Sequence, residues 1–280
     1  MVSMIIGQPY KAENILNKSQ KKTISTEKKK SNTLEKKFLQ AKSLERSGLY
    51  NEAFSLFKEI NRDHPGINRY FQPMKNYLKQ TEAWDTLLVY TRDYANARNQ
   101  DFQSQLEFLD IFIWMEAESE WQEIASSLTQ TRIANDNSMK SVVQRLLNNG
   151  KYDFAYEQLK TYRQKTNSKD FYSFEMGTFF GMRMSYDKAV QEYLLFLGTH
   201  PQKLQTISDR IMVYPDIPDI MNAITSILLE SPLETAQFIL ADLRFKQKSY
   251  EEGYEILKSN EAPPVMLLNY AKDLASVNEY

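Results

Sequence analysis

The chain is predicted to be an all-α stack of helical hairpins. Three observations predict it: a turn pattern that returns at intervals near 34 residues, few turn formers, and many helix formers. Only 8 Gly and 9 Pro occur among 280 residues, too few for the many tight turns of an all-β protein, whereas Leu, Glu, Lys, Gln and Ala abound.

The repeat shows most clearly in four places. Around residue 50 the chain carries Gly48, Tyr50, Ala53 and Phe57, and closes with His64 and Pro65. Around residue 152 it carries Gly150, Tyr152, Ala155 and Leu159. A third copy has Tyr186, Ala189 and Tyr193 and closes with His200 and Pro201, and a fourth has Tyr250, Gly253 and Leu257.

Each residue type has a physical reason. A Gly or small polar residue ends the first helix in a conformation that bulky side chains resist. The aromatic residue two positions on plugs the wedge between paired helices. Ala or Gly three residues later lets the second helix lie close to the first, and the large apolar residue one turn beyond fills the space toward the next hairpin. Proline then stops the second helix, because the residue before it is pushed out of helical geometry.

With the turn aromatic as a ruler, the series runs Tyr50, Trp84, Trp121, Tyr152, Tyr186, Ile217 and Tyr250, in steps of 34, 37, 31, 34, 31 and 33. The copies at Trp84, Trp121 and Ile217 are degenerate. They keep the expected hairpin but not the motif. A last segment, Val265 to Ala275, reads as the first helix of an eighth hairpin, either a polar-faced cap or the beginning of further repeats.

This pattern resembles the tetratricopeptide repeat, diagnostically near Tyr50, Tyr152, Tyr186 and Tyr250. The resemblance implies a right-handed α-solenoid of about seven hairpins plus a terminal single helix, filling residues 33–280. It also implies that the first helices of successive hairpins line a concave, peptide-binding groove.

Charge is uneven along the chain. The formal net charge is −1, yet residues 1–30 hold seven Lys against two Glu, a net of +5, which leaves −6 for the rest. Residues 1–32 are expected to be a basic, disordered tail. Met1 to Gln8 looks like the back half of a signal peptide, which leaves open a truncated export signal or an ordinary start, and hence a periplasmic or exported location or a cytoplasmic one. The lysines lack interleaved aromatics, so no nucleic acid is expected, and no apolar run is long enough to span a membrane.

Catalytic chemistry finds little purchase. The absence of Cys removes disulfides, thiolate nucleophiles and Cys-based metal sites. Both histidines precede a closing proline, where a helix C-terminus favours them. The glycines form no phosphate-binding pattern, and Gly177 falls where helices pack closest. Glu116, Glu118, Glu120 and Glu123 straddle a polar turn, and Asp216 and Asp219 read as helix-start caps. No cofactor or metal is expected, and the chain is read as a scaffold rather than an enzyme.

Carrying the repeat phase along the chain puts Leu106, Leu109 and Ile113 on the groove side of the third first helix, Lys140 and Gln144 on the next, and Phe171 and Phe174 on the one after. The third first helix is apolar nearly all round, so something must cover its second face: neighbouring hairpins, a ligand or a second protomer. In the resembled family a Lys and Asn clamp holds a peptide's terminal carboxylate. Lys140 stands where one such Lys would be, but Gln144 replaces the Asn and Phe171 and Phe174 dominate the next repeat. The expected role is a protein-interaction scaffold with a peptide or protein partner, or else the N-terminal arm of a larger exported or envelope-associated assembly.

Overall fold

In the computed structural model, which describes residues 33–130 and 135–277, all regular structure is helical. The basic segment 1–32 lies outside the described residues. The chain divides into two compact units, Met1–Gln158 and Leu159–Tyr280. The first holds α1 (33–46), α2 (Tyr50–Asp63), α3 (Asn68–Gln80), α4 (Trp84–Ala97), α5 (Phe102–Trp114), α6 (Glu118–Gln130), α7 (Asp136–Asn148) and the start of α8 (Tyr152–Thr166). The second holds the rest of α8, α9 (Ser173–Met182), α10 (Tyr186–Leu197), a short 3-10 turn, α11 (Leu204–Met212), α12 (Pro218–Glu230), α13 (Glu234–Lys246), α14 (Tyr250–Ser259) and α15 (Pro264–Val277). Among the described residues consecutive helices pair as hairpins, α3 with α4, α5 with α6, α9 with α10 and α13 with α14, and α15 follows α14. Contacts also join alternate helices, α5 with α7 in the first unit and α11 with α13 and α10 with α12 in the second, as stacked hairpins require. None of the described helices is long and apolar enough to cross a membrane.

The hairpin turns share one backbone device. Residues 48, 82, 116, 150, 184 and 248 all take positive φ, between 53° and 79°. The next amide reaches back to close the turn: Leu49 N–H donates to the Leu44 carbonyl at 3.0 Å, Ala83 to Leu78 at 2.9 Å, Ala117 to Phe112 at 2.9 Å and Lys151 to Leu146 at 2.9 Å. These bonds satisfy carbonyls that the end of each first helix would otherwise leave open. Glycine occupies the strained position only at Gly48 and Gly150; Glu82, Glu116, Met184 and Lys248 bear a side chain there.

This device corrects the ruler at the third hairpin. The second helices begin at Tyr50, Trp84, Glu118, Tyr152 and Tyr186, four steps of 34 residues each. Trp121 is therefore not the turn aromatic. It sits three residues inside α6, at the register of Ala53, Ala155 and Ala189, buried and edge-to-face against Phe154 at 4.9 Å. At the sixth turn no positive φ occurs. Ile217 is the N-cap without a side-chain bond, Pro218 opens α12 and Asp219 lies in its first turn, so neither Asp216 nor Asp219 is the cap expected of it.

Side-chain sizes are exchanged between registers to fill the hairpins. A Cβ on Gly177 of α9 would lie 2.6 Å from the Tyr193 ring of α10, so the glycine admits a tyrosine. At the corresponding places in the third hairpin stand Leu109 and Ala125, both fully buried, with the large residue now on the first helix. Total volume is conserved although neither residue is, which is how cores tolerate divergent repeats.

Candidate functional site

Of the residues read onto a groove, Leu106, Leu109 and Ile113 are core instead. All three are buried inside the first unit, Leu109 completely. The all-round apolar character of α5 thus has a local explanation: the helix is wedged among α4, α6 and α7. Its aromatic residues Phe102, Phe108, Phe112 and Trp114 are half-buried, with the Phe108 and Phe112 ring centroids 6.4 Å apart. Lys140 and Gln144 are exposed on α7, where Gln144 Nε2 donates to Asn148 Oδ1 at 2.9 Å.

An ionic cluster that no local sequence pattern announces joins the first helices of the first unit. Lys75 on α3 pairs with Glu107 and, at 2.9 Å, with Asp110, both on α5. Arg145 on α7 pairs with Asp110 and approaches Glu107 at 3.5 Å. Lys75, Glu107 and Asp110 are buried, while Arg145 keeps about a quarter of its side chain in solvent. Trp114 Nε1 donates to Asn149 Oδ1 at 2.8 Å, and Asn149 Nδ2 to Asp110 Oδ1 at 3.3 Å. Two carboxylates and two cations balance, so this cluster locks three hairpins together rather than offering open charge. Spacings of 32–38 residues conceal it in the sequence.

The second unit carries a more open first-helix face. Arg163, buried on α8, makes a bidentate pair with Glu192 of α10 at 2.9 and 2.6 Å, and its Nε donates to the Phe171 carbonyl at 2.9 Å. That clasp positions the loop entering α9. Phe171 and Phe174 are half-buried and line one cavity of about 440 Å³ together with Phe196, His200 and Lys203. Phe174 packs 5.2 Å from Phe196, and His200 stacks on Phe196 at 4.5 Å, which gives this histidine a structural role. A second cavity, of about 320 Å³, lies between α9, α10 and α11 and is lined by Thr178, Tyr186, Tyr193, Arg210 and Tyr214. The Arg210 guanidinium lies 4.7 Å from the Phe174 ring centroid, so the two cavities adjoin through this pair.

Further along the same face, a cavity of about 370 Å³ is lined by residues of α11, α13 and α15, among them Ser208, Asp209, Asp242 and Asp273. Burial pushes the Asp242 carboxyl above the usual range, opposed by the Ser208 hydroxyl, which donates to it at 2.5 Å, and reinforced by Asp209 and Asp273. Lys246 Nζ donates to the Tyr214 carbonyl at 2.6 Å. Among the described residues no group of His, Asp and Glu is arranged to hold a metal ion.

Repeat phase singled out Phe171 and Phe174, which line a cavity, whereas Arg210 and Tyr214 occupy no motif position and were not singled out. No protein-family model matches the chain. No curated protein sequence matches it either. Among solved structures it is similar to a tetratricopeptide repeat protein from Parabacteroides merdae, at 10% sequence identity over 85% of this chain and 97% of that one, with a TM-score of 0.37.

Proposed function

We propose that this chain is a protein-interaction scaffold, not an enzyme, and that it binds an extended peptide or protein segment along the first-helix face of its second unit. The observation that carries this reading is the pair of adjoining cavities around Phe174 and Arg210, apolar and aromatic in their walls and open beside charged groups. Concave sites with apolar walls and a few placed polar groups are the usual seats of ligands. The stacked hairpins supply a rigid frame, since each helix is held by its neighbours and the turns are closed by backbone bonds.

Panning the full chain against a random-peptide library tests the reading. Enriched peptides should bind the intact chain in calorimetry and weaken at least several-fold against Phe171→Ala and Lys203→Glu. Peptides unaffected by either change would move the binding face elsewhere, and no enrichment at all would refute peptide binding.

A further inference from the structure

We infer that Arg210 seats a side-chain carboxylate of the partner peptide, while the apolar residues flanking that acidic residue occupy the cavities on either side. This rests on the scaffold reading above and names the chemistry the face selects. Arg210 is partly buried and donates one hydrogen bond, from Nη1 to Thr178 Oγ1 at 3.2 Å. The guanidinium also lies over the Phe174 ring, and among the described residues no carboxylate pairs with it. A guanidinium has five N–H donors, so most of its capacity remains for a ligand in the cavity it lines.

Tyr214 forms part of the wall of the same cavity, 7% exposed, with its hydroxyl buried toward Gly181 and Tyr193. Burial raises its ionisation well above the usual phenol range, so it stays a protonated donor. A partly buried guanidinium without a counter-ion, set against aromatic walls, favours an acceptor carrying negative charge.

The walls decide which anion. Met182 and Val213, 81% and 80% exposed, stand at the rim of the Arg210 cavity, and Phe171 and Phe196 line the other. An inorganic anion would leave all of this apolar surface wet. A chain-terminal carboxylate would bring apolar neighbours on one side only. An internal Glu or Asp between two large apolar residues uses the charge and both cavities.

Three probes separate these sources: acetyl-Ala-Leu-Glu-Leu-Ala-amide, its Gln counterpart with both ends capped, and the Gln peptide with a free C-terminus. Binding to the full chain is followed by calorimetry and by the Arg210 Nε–H resonance. The capped Glu peptide should bind at least about tenfold tighter than the capped Gln peptide, the scale of a lost charged hydrogen bond, and should shift the Arg210 signal. Arg210→Gln should erase the difference and Arg210→Lys should keep part of it, with helicity checked by circular dichroism. If Arg210→Gln fails to fold, the contrast on the unaltered chain and the lysine variant still decide. Equal binding of capped Glu and Gln peptides overturns the inference while leaving peptide binding intact. Preference for the free C-terminus, displacement by millimolar phosphate without any Glu preference, or no shift of the Arg210 signal with any probe also overturns it.

Discussion

At the hairpin turns, single residues bear a cost that the repeat does not remove. Met184 sits at φ 61° and is 77% exposed, so its side chain gains little while its backbone is held where L-residues are disfavoured. Met184→Gly should therefore stabilise the chain by about 0.5–1 kcal/mol in denaturant melts, after the extra chain entropy of glycine is counted. Gly48→Ala should do the opposite by about 1 kcal/mol through its φ of 79° alone, since nothing lies within 4 Å of the added Cβ. If Met184→Gly is neutral or destabilising, the turn geometry is not the shared device described above.

Asp242 offers a pH test at the same scale. Its folded pKa is raised, so the native state holds its proton more tightly than the unfolded chain does, and its ionised form costs stability once pH rises above its unfolded value. Asp242→Asn should raise the melting temperature near neutral pH. The gain should shrink as pH falls through the carboxylate range, where Asp242 itself becomes neutral. A difference that grows on acidification would contradict burial as the dominant cause, ahead of the opposing bond from Ser208.

Among elements, α5 is where local pattern and tertiary setting diverge most. Its apolar run was legible, and so was the need for something to cover a second face; the covering turned out to be its own neighbours. Its two acids, Glu107 and Asp110, join α3 and α7. Removing one partner of such a cluster leaves a buried charge unpaired, so Asp110→Asn should cost about 3–5 kcal/mol in denaturant melts. A cost below about 1 kcal/mol would mean that water, not Lys75 and Arg145, solvates that carboxylate. On α10, Ala189→Leu should cost about 1–3 kcal/mol by overpacking, because the alanine is fully buried at the closest approach of a hairpin.

Across the whole molecule, the contacts run between neighbouring helices, and each unit carries its own buried residues. In such arrays stability is close to a sum of local and nearest-neighbour terms. Leu109→Ser should remove about 2–5 kcal/mol from the first unit, since Leu109 is fully buried. Hydrogen exchange should then accelerate over α3 to α7 more than over α11 to α14; uniform acceleration along the chain would argue for a single cooperative core instead.

What the sequence determined by itself was the class of structure and its period. Glycine, aromatic and small residues recur because turn geometry and close helix approach restrict which side chains fit, and those restrictions are local enough to be read one repeat at a time. The third hairpin escaped that reading by three residues, because Trp121 imitates the turn aromatic while Glu116 takes the strained turn position without being glycine. Tertiary structure alone decided which faces close. Leu109 and Phe174 both carry an apolar side chain on a first helix, but Leu109 is buried against its own hairpin stack and Phe174 lines a cavity, under the Arg210 guanidinium. Partners 32 or more residues apart, such as Lys75 with Glu107 and Arg210 with Thr178, leave no trace in a local pattern, because charge and hydrogen bonding act through space and only packing brings those groups within reach.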